Sequence, residues 1–565
     1  MANLFIENKD IILKVSPMET LFARYIRGGR FSNSAWKYPF SIDKVEEIQK
    51  SFPNIAIPPE LKALISEEQS KLVQLLHLKK LKNATLEDIP IKTTLYNAQK
   101  VAVNYLLADD ALMNASQQGT GKCVMSLSAI IKRKQRGEVR KCLIICPASV
   151  KGTWAREIGK HTYENSVIIQ GKESQRLKMY KEYNDNKEPL FAITNYALLR
   201  RDVNKMGIDL DAVIVDESVK IKNPKTIQCK AVKALRTKYR IALSGYPADN
   251  KIEDIWSQFD WIKPGLLGSK WNFEDKYLVK QVMPFSSKSG KKINMVTGYK
   301  NLDGLRKTID PYFIRFLRSD VVELPPKIYE LREVDLGKEQ STQYKQMKDD
   351  MILKLSQMNE KDIVVQARDI LSQLIRLSQI CDGYISGKGL DAPVWLKENA
   401  KFAELDDIVE ETVANNNKMI IWSRYVPVTE RLYDRYKKYN PAMITGKVPT
   451  DKRDEEVQKF QNDDSCKIFL GQIIAAGQGL TLTAGNIQVF VDRGFLSPSS
   501  IAQAEDRQCR IGQTKTVLVI SLIAKGTVDE RWERLLKKKE ETASILFKTP
   551  EKVFRNKGDI MEFLK

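Results

Sequence analysis

The sequence predicts an α/β protein with two doubly wound parallel-sheet lobes, helical insertions between them and a small N-terminal accessory region. The first observation is that short β-branched runs alternate with longer amphipathic stretches from about residue 95 to 261. The second is that the same alternation returns from about residue 402 to 535. The third is that residues 265–399 carry a more charged, helical pattern and a stiff break, LPPK, at residues 324–327.

The predicted strands divide the chain into regions. We expect an N-terminal accessory region at residues 1–88, a first lobe at 89–264, helical insertions and a linker at 265–399, a second lobe at 400–545 and a C-terminal tail at 546–565. The strands of the first lobe are the apolar runs at 143–145, 190–193 and 213–215. Those of the second lobe are at 419–422, 468–470, 489–491 and 517–520.

The segment QAEDRQCRIGQ at residues 503–513 contains two arginines three positions apart. On a helix, Arg507 and Arg510 would project from one face, framed by Gln503 and Gln513. Each guanidinium is a planar, permanently charged fork that can clamp the triphosphate of a nucleotide held by another domain. The alternative is a solvated charged helix with ordinary ion pairs. Upstream segments favour the first interpretation because they supply the other half of a nucleotide site.

A glycine-rich turn precedes a predicted helix at residues 119–123, GTGKC. Such a turn points backbone N–H groups at phosphate oxygens, and Lys122 would neutralise the β and γ charges. The pattern departs from a full P-loop, since Ser116 replaces its first glycine and Cys123 its final Ser or Thr. A loop of chance composition is therefore the alternative. The phosphate-binding candidates are Gly119, Thr120, Gly121, Lys122 and Cys123.

An acidic pair follows the apolar run at residues 212–215. Asp216 and Glu217 stand at the end of this predicted buried strand. Carboxylates in such a place suit Mg²⁺ coordination and the activation of a water molecule. A plain strand end is the alternative, and the order of phosphate loop, acidic pair and arginine pair argues against it.

The charge balance favours a polyanionic partner. Lysine and arginine outnumber aspartate and glutamate by 92 to 71, which gives a formal net charge of +21. Nucleic acid or another anionic surface would bind such a protein, and charge alone leaves ribosome or membrane association open. With 42% apolar residues, the chain can fill several cores and is predicted to be globular.

Cysteine, histidine and hydropathy patterns bear on the compartment. The seven cysteines lack metal-ligand spacing, and two histidines are too few for a multi-histidine metal centre, so we expect core thiols and a reducing environment. The N-terminus lacks a signal pattern, and no apolar run approaches the ~18 residues that span a membrane. We therefore expect a cytoplasmic protein, nucleoid-associated in a prokaryote or in the host cytoplasm if encoded by a phage.

Taken in order, these motifs and several further segments resemble the Swi/Snf family, double-stranded-DNA translocases of helicase superfamily two, over roughly residues 90–545. The resemblance also rests on CPASVKGTWAREI at 146–158, ITNY at 193–196, SVKIKNP at 218–224, SGYP at 244–247, PGLLG at 264–268 and GTVDE at 526–530. It implies two RecA-like lobes that use ATP and Mg²⁺. The family pattern implies ATP contacts at Gln99, Gly479 and Gln503 besides the phosphate loop. It implies DNA contacts at Ser149, Trp154, Thr194, Asn195, Tyr196, Ser244 and Thr483.

The first ninety residues are similar to the segment that precedes the motor in annealing-helicase relatives. The similar residues are basic and aromatic, between positions 24 and 40, followed by IPP at 57–59. In those relatives the segment engages branched or forked DNA. The alternative for this chain is an ordinary capping subdomain.

Several positions depart from the family pattern. Cys123 replaces a threonine and offers Mg²⁺, a hard cation, a soft thiol. Val219 replaces a histidine, Tyr246 a threonine and Cys509 another histidine. Phe316 and Arg318 also interrupt a paired-basic segment.

The resemblance implies an ATP hydrolase that moves along duplex, forked or branched DNA as a monomer. Lys122 would hold phosphate, Asp216 would hold Mg²⁺ through water and Glu217 would orient or deprotonate the attacking water. Arg507 and Arg510 would reach across from the second lobe to stabilise the developing charge. A non-hydrolysing DNA-binding or scaffolding relative is the alternative. An RNA helicase of the same superfamily is disfavoured by the arginine and PGLLG segments.

Overall fold

A computed structural model describes residues 2–7, 10–26, 29–248, 251–286, 292–321, 325–357, 367–386, 392–477, 480–510 and 512–543. The chain divides into two compact units, one made of residues 1–283 with 292–321 and the other made essentially of residues 322 onward. Each unit contains a parallel sheet that its own connecting helices accompany. The predicted two-lobed α/β fold is therefore confirmed.

Seven parallel strands form the sheet of the first lobe. Its central strands are buried over nearly all of their length, as helix-covered parallel sheets require. The strands in spatial order are Phe313–Ile314, Ala111–Asn114, Tyr239–Leu243, Ala212–Asp216, Cys142–Cys146, Phe191–Asn195 and Ser166–Ile168. The helices are Asn97–Leu107, Lys122–Gln135, Lys151–His161, Glu173–Asp185, Tyr196–Asp202, Ile227–Ala234, Glu253–Ile262, Lys270–Tyr277 and Leu302–Ile309.

Six parallel strands form the sheet of the second lobe. Alternate residues of its central strand belong to two different hydrophobic clusters. Ile420 and Trp422 pack in one cluster, and Met419 and Ile421 pack in the other, so both faces of the sheet are covered. The strands in spatial order are Lys327–Val334, Val517–Ala524, Ile487–Phe490, Met419–Ser423, Ile468–Gln472 and Ala442–Ile444. The helices are Lys338–Gln357, Ala367–Cys381, Ala400–Ala414, Val426–Arg435, Thr450–Asn462, Ile473–Ala476, Pro498–Glu505 and Val528–Ala543.

The N-terminal region has a core of its own. Its antiparallel sheet has the strand order Asn3–Glu7, Asp10–Lys14, Ala35–Pro39 and Arg30–Ser32, and its helices are Thr20–Tyr25, Ile42–Ser51 and Pro59–Lys80. Alternate strand residues such as Ile11 and Leu13 pack with Tyr38 and Ile48 in a small hydrophobic cluster. The long helix joins the first lobe through Lys79, whose Nζ lies 2.8 Å from Asp310 Oδ1.

The stretch at 265–399, predicted as helical insertions and a linker, contains strands as well as helices. Leu278–Ser286 and Lys292–Tyr299 form a two-stranded sheet of their own, and the strands Phe313–Ile314 and Lys327–Val334 enter the first and second sheets. The second of these strands, KIYELREV, lies at a sheet edge, where charged residues are tolerated, and its charge hides the strand pattern. All seven strands predicted from apolar runs are present. Among the described residues, no helix is long and apolar enough to cross a bilayer.

Candidate functional site

The glycine-rich loop connects the strand Ala111–Asn114 to the helix Lys122–Gln135. Gly119 and Gly121 have φ angles of +83° and +87°, a region that other residues rarely adopt. A Cβ atom on Gly121 would lie 2.4 Å from Gln99 Nε2. Glycine is therefore required at this position both for the backbone conformation and for the approach of Gln99.

Lys122 begins the helix and turns its side chain back over the loop. Its Nζ donates hydrogen bonds to the carbonyl oxygens of Ser116, at 2.9 Å, and Gln117, at 3.2 Å. The hydroxyl of Thr120, which is buried, donates to the same Gln117 carbonyl at 2.7 Å. The loop thus surrounds the ammonium group with its own carbonyl oxygens, at the place where a phosphate loop holds an anion.

Gln99 is buried behind the loop. Its Nε2 donates to the carbonyl of Thr120 at 3.0 Å, and its Oε1 accepts from the backbone N–H of Tyr96 at 3.0 Å. Both ends of the amide are engaged by backbone, so in this structure the side chain supports the loop. The ATP contact that the resemblance implies for Gln99 stays a prediction.

A second segment, residues 313–318, runs beside the loop. The backbone N–H of Gln117 donates to the carbonyl of Phe316 at 2.9 Å, and Arg318 Nε donates to the carbonyl of Gln118 at 2.6 Å. The contact at Phe316 uses backbone atoms, so it does not depend on the side chain that departs from the family pattern. No sequence pattern indicated these hydrogen bonds between the loop and the segment 313–318, because they join residues about 200 positions apart.

Asp216 ends the strand Ala212–Asp216, and both of its carboxylate oxygens accept hydrogen bonds. Trp154 Nε1 donates to Oδ2 at 2.9 Å, and the backbone N–H of Glu217 donates to Oδ1 at 2.9 Å. Burial raises the pKa of Asp216, while the Trp154 hydrogen bond, the charge of Lys122 and the Glu217 N–H lower it. The net shift is upward, so the protein holds this carboxylate in a place that disfavours its charge.

Glu217 adopts a left-handed backbone conformation, with φ of +51°. This places the residue at a sharp turn directly after the strand, where its Oε1 lies 3.4 Å from Gln118 Nε2 on the phosphate loop. Left-handed geometry at a glutamate costs roughly 1–3 kcal/mol and persists where the surrounding structure enforces it. The acidic pair and the phosphate loop therefore meet at the carboxyl edge of the sheet.

A buried glutamine connects the acidic turn to the loop after the next strand. The Ser218 hydroxyl donates to Gln258 Oε1 at 2.7 Å, and Gln258 Nε2 donates to the carbonyl of Pro247 at 2.6 Å. In that loop, Ser244 is 1% exposed and its Oγ accepts from the backbone N–H of Tyr246 at 3.2 Å. Sequence reasoning missed Gln258, since a glutamine in an amphipathic helix gives no signal of such a contact.

The first-lobe residues for which the resemblance implies DNA contact are mostly buried in this structure. Trp154 and Thr194 are 1% and 0% exposed, and Tyr196 is 5% exposed with its hydroxyl on the Asp216 carbonyl at 2.5 Å. Asn195 caps the helix Tyr196–Asp202 through the N–H of Leu198. Buried Ser244 belongs with them, whereas Ser149 is half-exposed. Trp154 and Tyr196 thus contact Asp216, and the DNA contacts that the resemblance implies for this set remain predictions.

The departures from the family pattern occupy different environments. Cys123 is half-exposed at the second position of the loop's helix, and Val219 is half-exposed in the turn after Glu217. Cys509 is buried within the second lobe. Solvent therefore reaches the side chains of Cys123 and Val219, whereas Cys509 is enclosed by the second lobe.

In the second lobe, the arginine segment departs from the predicted helix. The helix Pro498–Glu505 ends before either arginine, and both lie in the following turns. Arg507 is 2% exposed, and its Nε donates to the carbonyl of Gln503 at 2.7 Å. Arg510 is half-exposed and donates to Thr481 Oγ1 at 3.0 Å. The two guanidinium groups therefore differ in solvent exposure. Side chains on one face of a helix, as predicted, would have been similarly exposed.

Other expected residues of this lobe lie around the same turns. Gln503 is half-exposed, and buried Gln513 donates to the carbonyls of Thr483 and Gly485. The Thr483 hydroxyl accepts from Gln461 Nε2 at 3.2 Å. Gly479 lies outside the described residues.

Comparison with known families agrees with this arrangement. A model described as the SNF2-related domain matches residues 67–384, more than half of the chain, and one described as the helicase conserved C-terminal domain matches residues 400–512. The chain belongs to the SNF2-related family. In this SNF2-related chain, the first match contains the phosphate loop and the acidic pair, and the second contains most of the arginine segment.

The relatives of this SNF2-related chain include longer proteins. The putative ATP-dependent helicase/translocase YwqA of Bacillus subtilis is 29% identical over 474 residues, which are 80% of this chain and 48% of YwqA. The TATA-binding protein-associated factor MOT1 of Saccharomyces cerevisiae is 27% identical over 559 residues, 87% of this chain and 29% of MOT1. The chain thus spans half or less of the length of these relatives.

Among solved structures, the Sulfolobus solfataricus SWI2/SNF2 ATPase core in complex with dsDNA is similar to this chain. The similarity has 29% sequence identity and a TM-score of 0.39, and covers 82% of this chain and 94% of that one.

Proposed function

We propose that this protein is a DNA-dependent ATP hydrolase that moves along duplex DNA. The observation that carries the proposal is the meeting of Lys122, Asp216 and Glu217 at one sheet edge. The charge of Lys122 acts on Asp216, and Glu217 approaches the loop through Gln118. Ligands of open α/β sheets bind at the carboxyl ends of the strands.

In this proposal, the loop binds the triphosphate of ATP. Lys122 exchanges its carbonyl partners at Ser116 and Gln117 for phosphate oxygens, a stronger charge-assisted interaction. Glu217 orients or deprotonates the attacking water from its strained turn. Arg510 and Arg507 of the second lobe stabilise the charge that develops on the γ-phosphoryl group.

The residues at the loop fit Mg²⁺ in part. Asp216 supplies carboxylate oxygen, the ligand type that Mg²⁺ prefers, and would hold the ion through water. Cys123 supplies a thiol, which suits softer metals. When bound, Mg²⁺ would neutralise phosphate charge.

DNA contact in this proposal comes from exposed cations, since several residues of the family pattern are buried. Arg200 and Arg201 are exposed near the end of the helix Tyr196–Asp202, which begins at the carboxyl end of a first-lobe strand. A motor that moves along any sequence contacts phosphates rather than base edges. The N-terminal region, with its exposed Tyr25 and Phe31, would contribute to binding forked or branched DNA.

The remaining assignments follow from the same proposal. The protein acts as a monomer, and its cysteines, all free thiols, suit the reducing cytoplasm, on the nucleoid of a prokaryote or in a phage-infected host.

The test is steady-state hydrolysis by the full chain and by Glu217→Gln, with Glu157→Gln as the matched control. Glu157 is a carboxylate of the same lobe whose side chain faces His161. We expect Glu217→Gln to lower kcat about 10²-fold or more, the usual contribution of general base catalysis, and Glu157→Gln to leave it unchanged. Equal rates for the Glu217 variant and the unaltered protein would remove the catalytic role.

The second candidate is a non-hydrolysing DNA-binding relative. The position of Cys123, at the second residue of the loop's helix, favours it because a thiol is a poor Mg²⁺ ligand. ATP binding without turnover, in the presence of duplex DNA, would establish this candidate.

A further inference from the structure

The first strand of the second lobe makes a charged contact with the arginine segment. Lys327 follows the residues that join the two units, and its Nζ lies 3.1 Å from Glu505 Oε2 and 3.0 Å from Asp506 Oδ1. The two carboxylates immediately precede Arg507. The contact spans 178 and 179 positions of sequence.

Both carboxylates are almost fully enclosed by protein. Glu505 and Asp506 are each 5% exposed. Glu505 also accepts from the Tyr329 hydroxyl at 3.0 Å and from Arg493 at 3.2 Å. Burial lowers the pKa of Lys327, but Glu505 and Asp506 raise it by more, so its pKa stands well above the ordinary value and the ammonium stays charged.

The backbone next to these carboxylates forms the turns that carry the arginines. The carbonyl of Asp506 accepts from Arg510 Nε at 3.3 Å, and the N–H of Arg507 donates to the carbonyl of Ala504 at 3.0 Å. A shift of Asp506 therefore displaces Arg510 directly. Loss of Lys327 would leave two neighbouring buried carboxylates without their shared cation and would drive such a shift.

We propose that Lys327 is a positioning residue for Arg510, holding the turn at Asp506 so that the guanidinium keeps one orientation. The inference rests on the proposed function, since it assigns Arg510 the role of stabilising the transferred phosphoryl group. The ion pairs of Lys327 with Glu505 and Asp506 join the strand Lys327–Val334 to the arginine turn.

The first experiment measures amide hydrogen exchange across residues 506–510 in the full chain. Lys327→Met removes the charge at similar length, Lys327→Arg restores it, and Asp506→Asn weakens the pair with little change of shape. Lys467→Met is the matched control, because Lys467 contacts Asn416 elsewhere in the lobe. Exchange should rise about tenfold in Lys327→Met and Asp506→Asn as the turn opens locally, and stay unchanged in Lys327→Arg and the control.

The second experiment measures ATP hydrolysis with duplex DNA. Lys327→Met should lower kcat about 10- to 100-fold with KM for ATP unchanged, as expected when a transition-state contact is misplaced. In an Arg510→Ala background the same substitution should have little further effect. A kcat penalty of equal size in both backgrounds, or unchanged exchange in Lys327→Met, would overturn the positioning role. An unaltered protein that fails to hydrolyse ATP would instead overturn the proposed function, and the exchange result would still decide whether Lys327 holds the turn.

Discussion

The indole N–H of Trp154 donates a 2.9 Å hydrogen bond to Asp216 Oδ2. Trp154 is 1% exposed, and the two residues are 62 positions apart in the chain. The bond fixes one oxygen of the carboxylate that ends the strand before Glu217. A tryptophan for which the family pattern implies DNA contact thus supports the acidic pair of the candidate site.

Trp154→Phe should lower hydrolysis and change its pH dependence. Burial raises the pKa of Asp216 and the Trp154 bond lowers it, so removal of the donor raises this pKa further. Hydrolysis needs the carboxylate and is lost as pH falls through this pKa, so the acidic limb of the kcat profile should move to higher pH. At neutral pH we expect about a tenfold loss, the scale of a hydrogen bond to a charged group.

The control is Trp271→Phe, since Trp271 is exposed on another helix of the first lobe. An acidic limb that stays in place in Trp154→Phe, while kcat falls, would mean that the indole acts through packing alone.

Alanine substitutions of Arg507 and Arg510 should have different effects, because the two side chains differ in solvent exposure. Arg510→Ala should lower kcat about 10³-fold, the lower end for arginine fingers, with an unchanged Tm, because the guanidinium is half-exposed. Arg507→Ala should lower both kcat and Tm, because it removes a buried side chain bonded to the carbonyls of Gln503 and Leu480. Arg534→Ala, from an exposed pair with Glu530, is the control for both. Near-normal turnover in Arg510→Ala would remove its role in charge stabilisation.

The amino-acid sequence predicted what depends on local pattern. The strand Cys142–Cys146 is found where the apolar run indicated it, and Gly119 and Gly121 have the positive φ angles that a phosphate loop uses. These features follow from β propensity and from glycine's freedom, both of which are properties of short segments. The alternation of strand and helix patterns in two blocks of the chain predicted the two-lobed fold.

Long-range contacts could not be predicted in the same way. The Tyr196 hydroxyl donates to the carbonyl of Asp216, 20 positions away, and Glu505 accepts from Lys327, 178 positions away. The helix before Arg507 also ends earlier than the spacing of the arginines suggests. The backbone N–H of Arg507 bonds to the carbonyl of Ala504, three residues back, and the Arg507 carbonyl accepts from the N–H of Leu482 in another segment. Local sequence patterns do not predict which distant polar group a side chain will contact in the folded protein.

Cys123→Thr should raise Mg²⁺-supported hydrolysis. A hydroxyl oxygen suits this hard cation, whereas a thiol prefers softer ions. In the unaltered protein, Mn²⁺ or Cd²⁺ should therefore support turnover better than Mg²⁺, and the substitution should reverse that preference. Cys229→Ser is the control, since Cys229 is buried against Ser257. If Cys123→Thr binds ATP but hydrolyses it no faster than the unaltered protein, the thiol is not what limits turnover, and the departures at Val219, Tyr246 and Cys509 become the next positions to test.

Replacement of Arg200 and Arg201 by alanine should weaken duplex binding equally for all sequences. If each contacts one phosphate, the slope of log affinity against log salt should fall by about 1.8 in magnitude, at about 0.9 per phosphate. Arg140→Ala is the control because Arg140 is an 85% exposed arginine of the same lobe. An unchanged slope in the double variant would place the DNA contacts on other residues.

The most direct test of the account is the ATP hydrolysis rate of the full chain with no nucleic acid, with duplex DNA, with forked DNA and with RNA. The sheet-edge arrangement of Lys122, Asp216 and Glu217, together with the +21 charge, predicts hydrolysis that duplex or forked DNA stimulates and that Lys122→Ala abolishes. A rate that no DNA changes while RNA stimulates it, or ATP binding without turnover under every condition, would contradict the account.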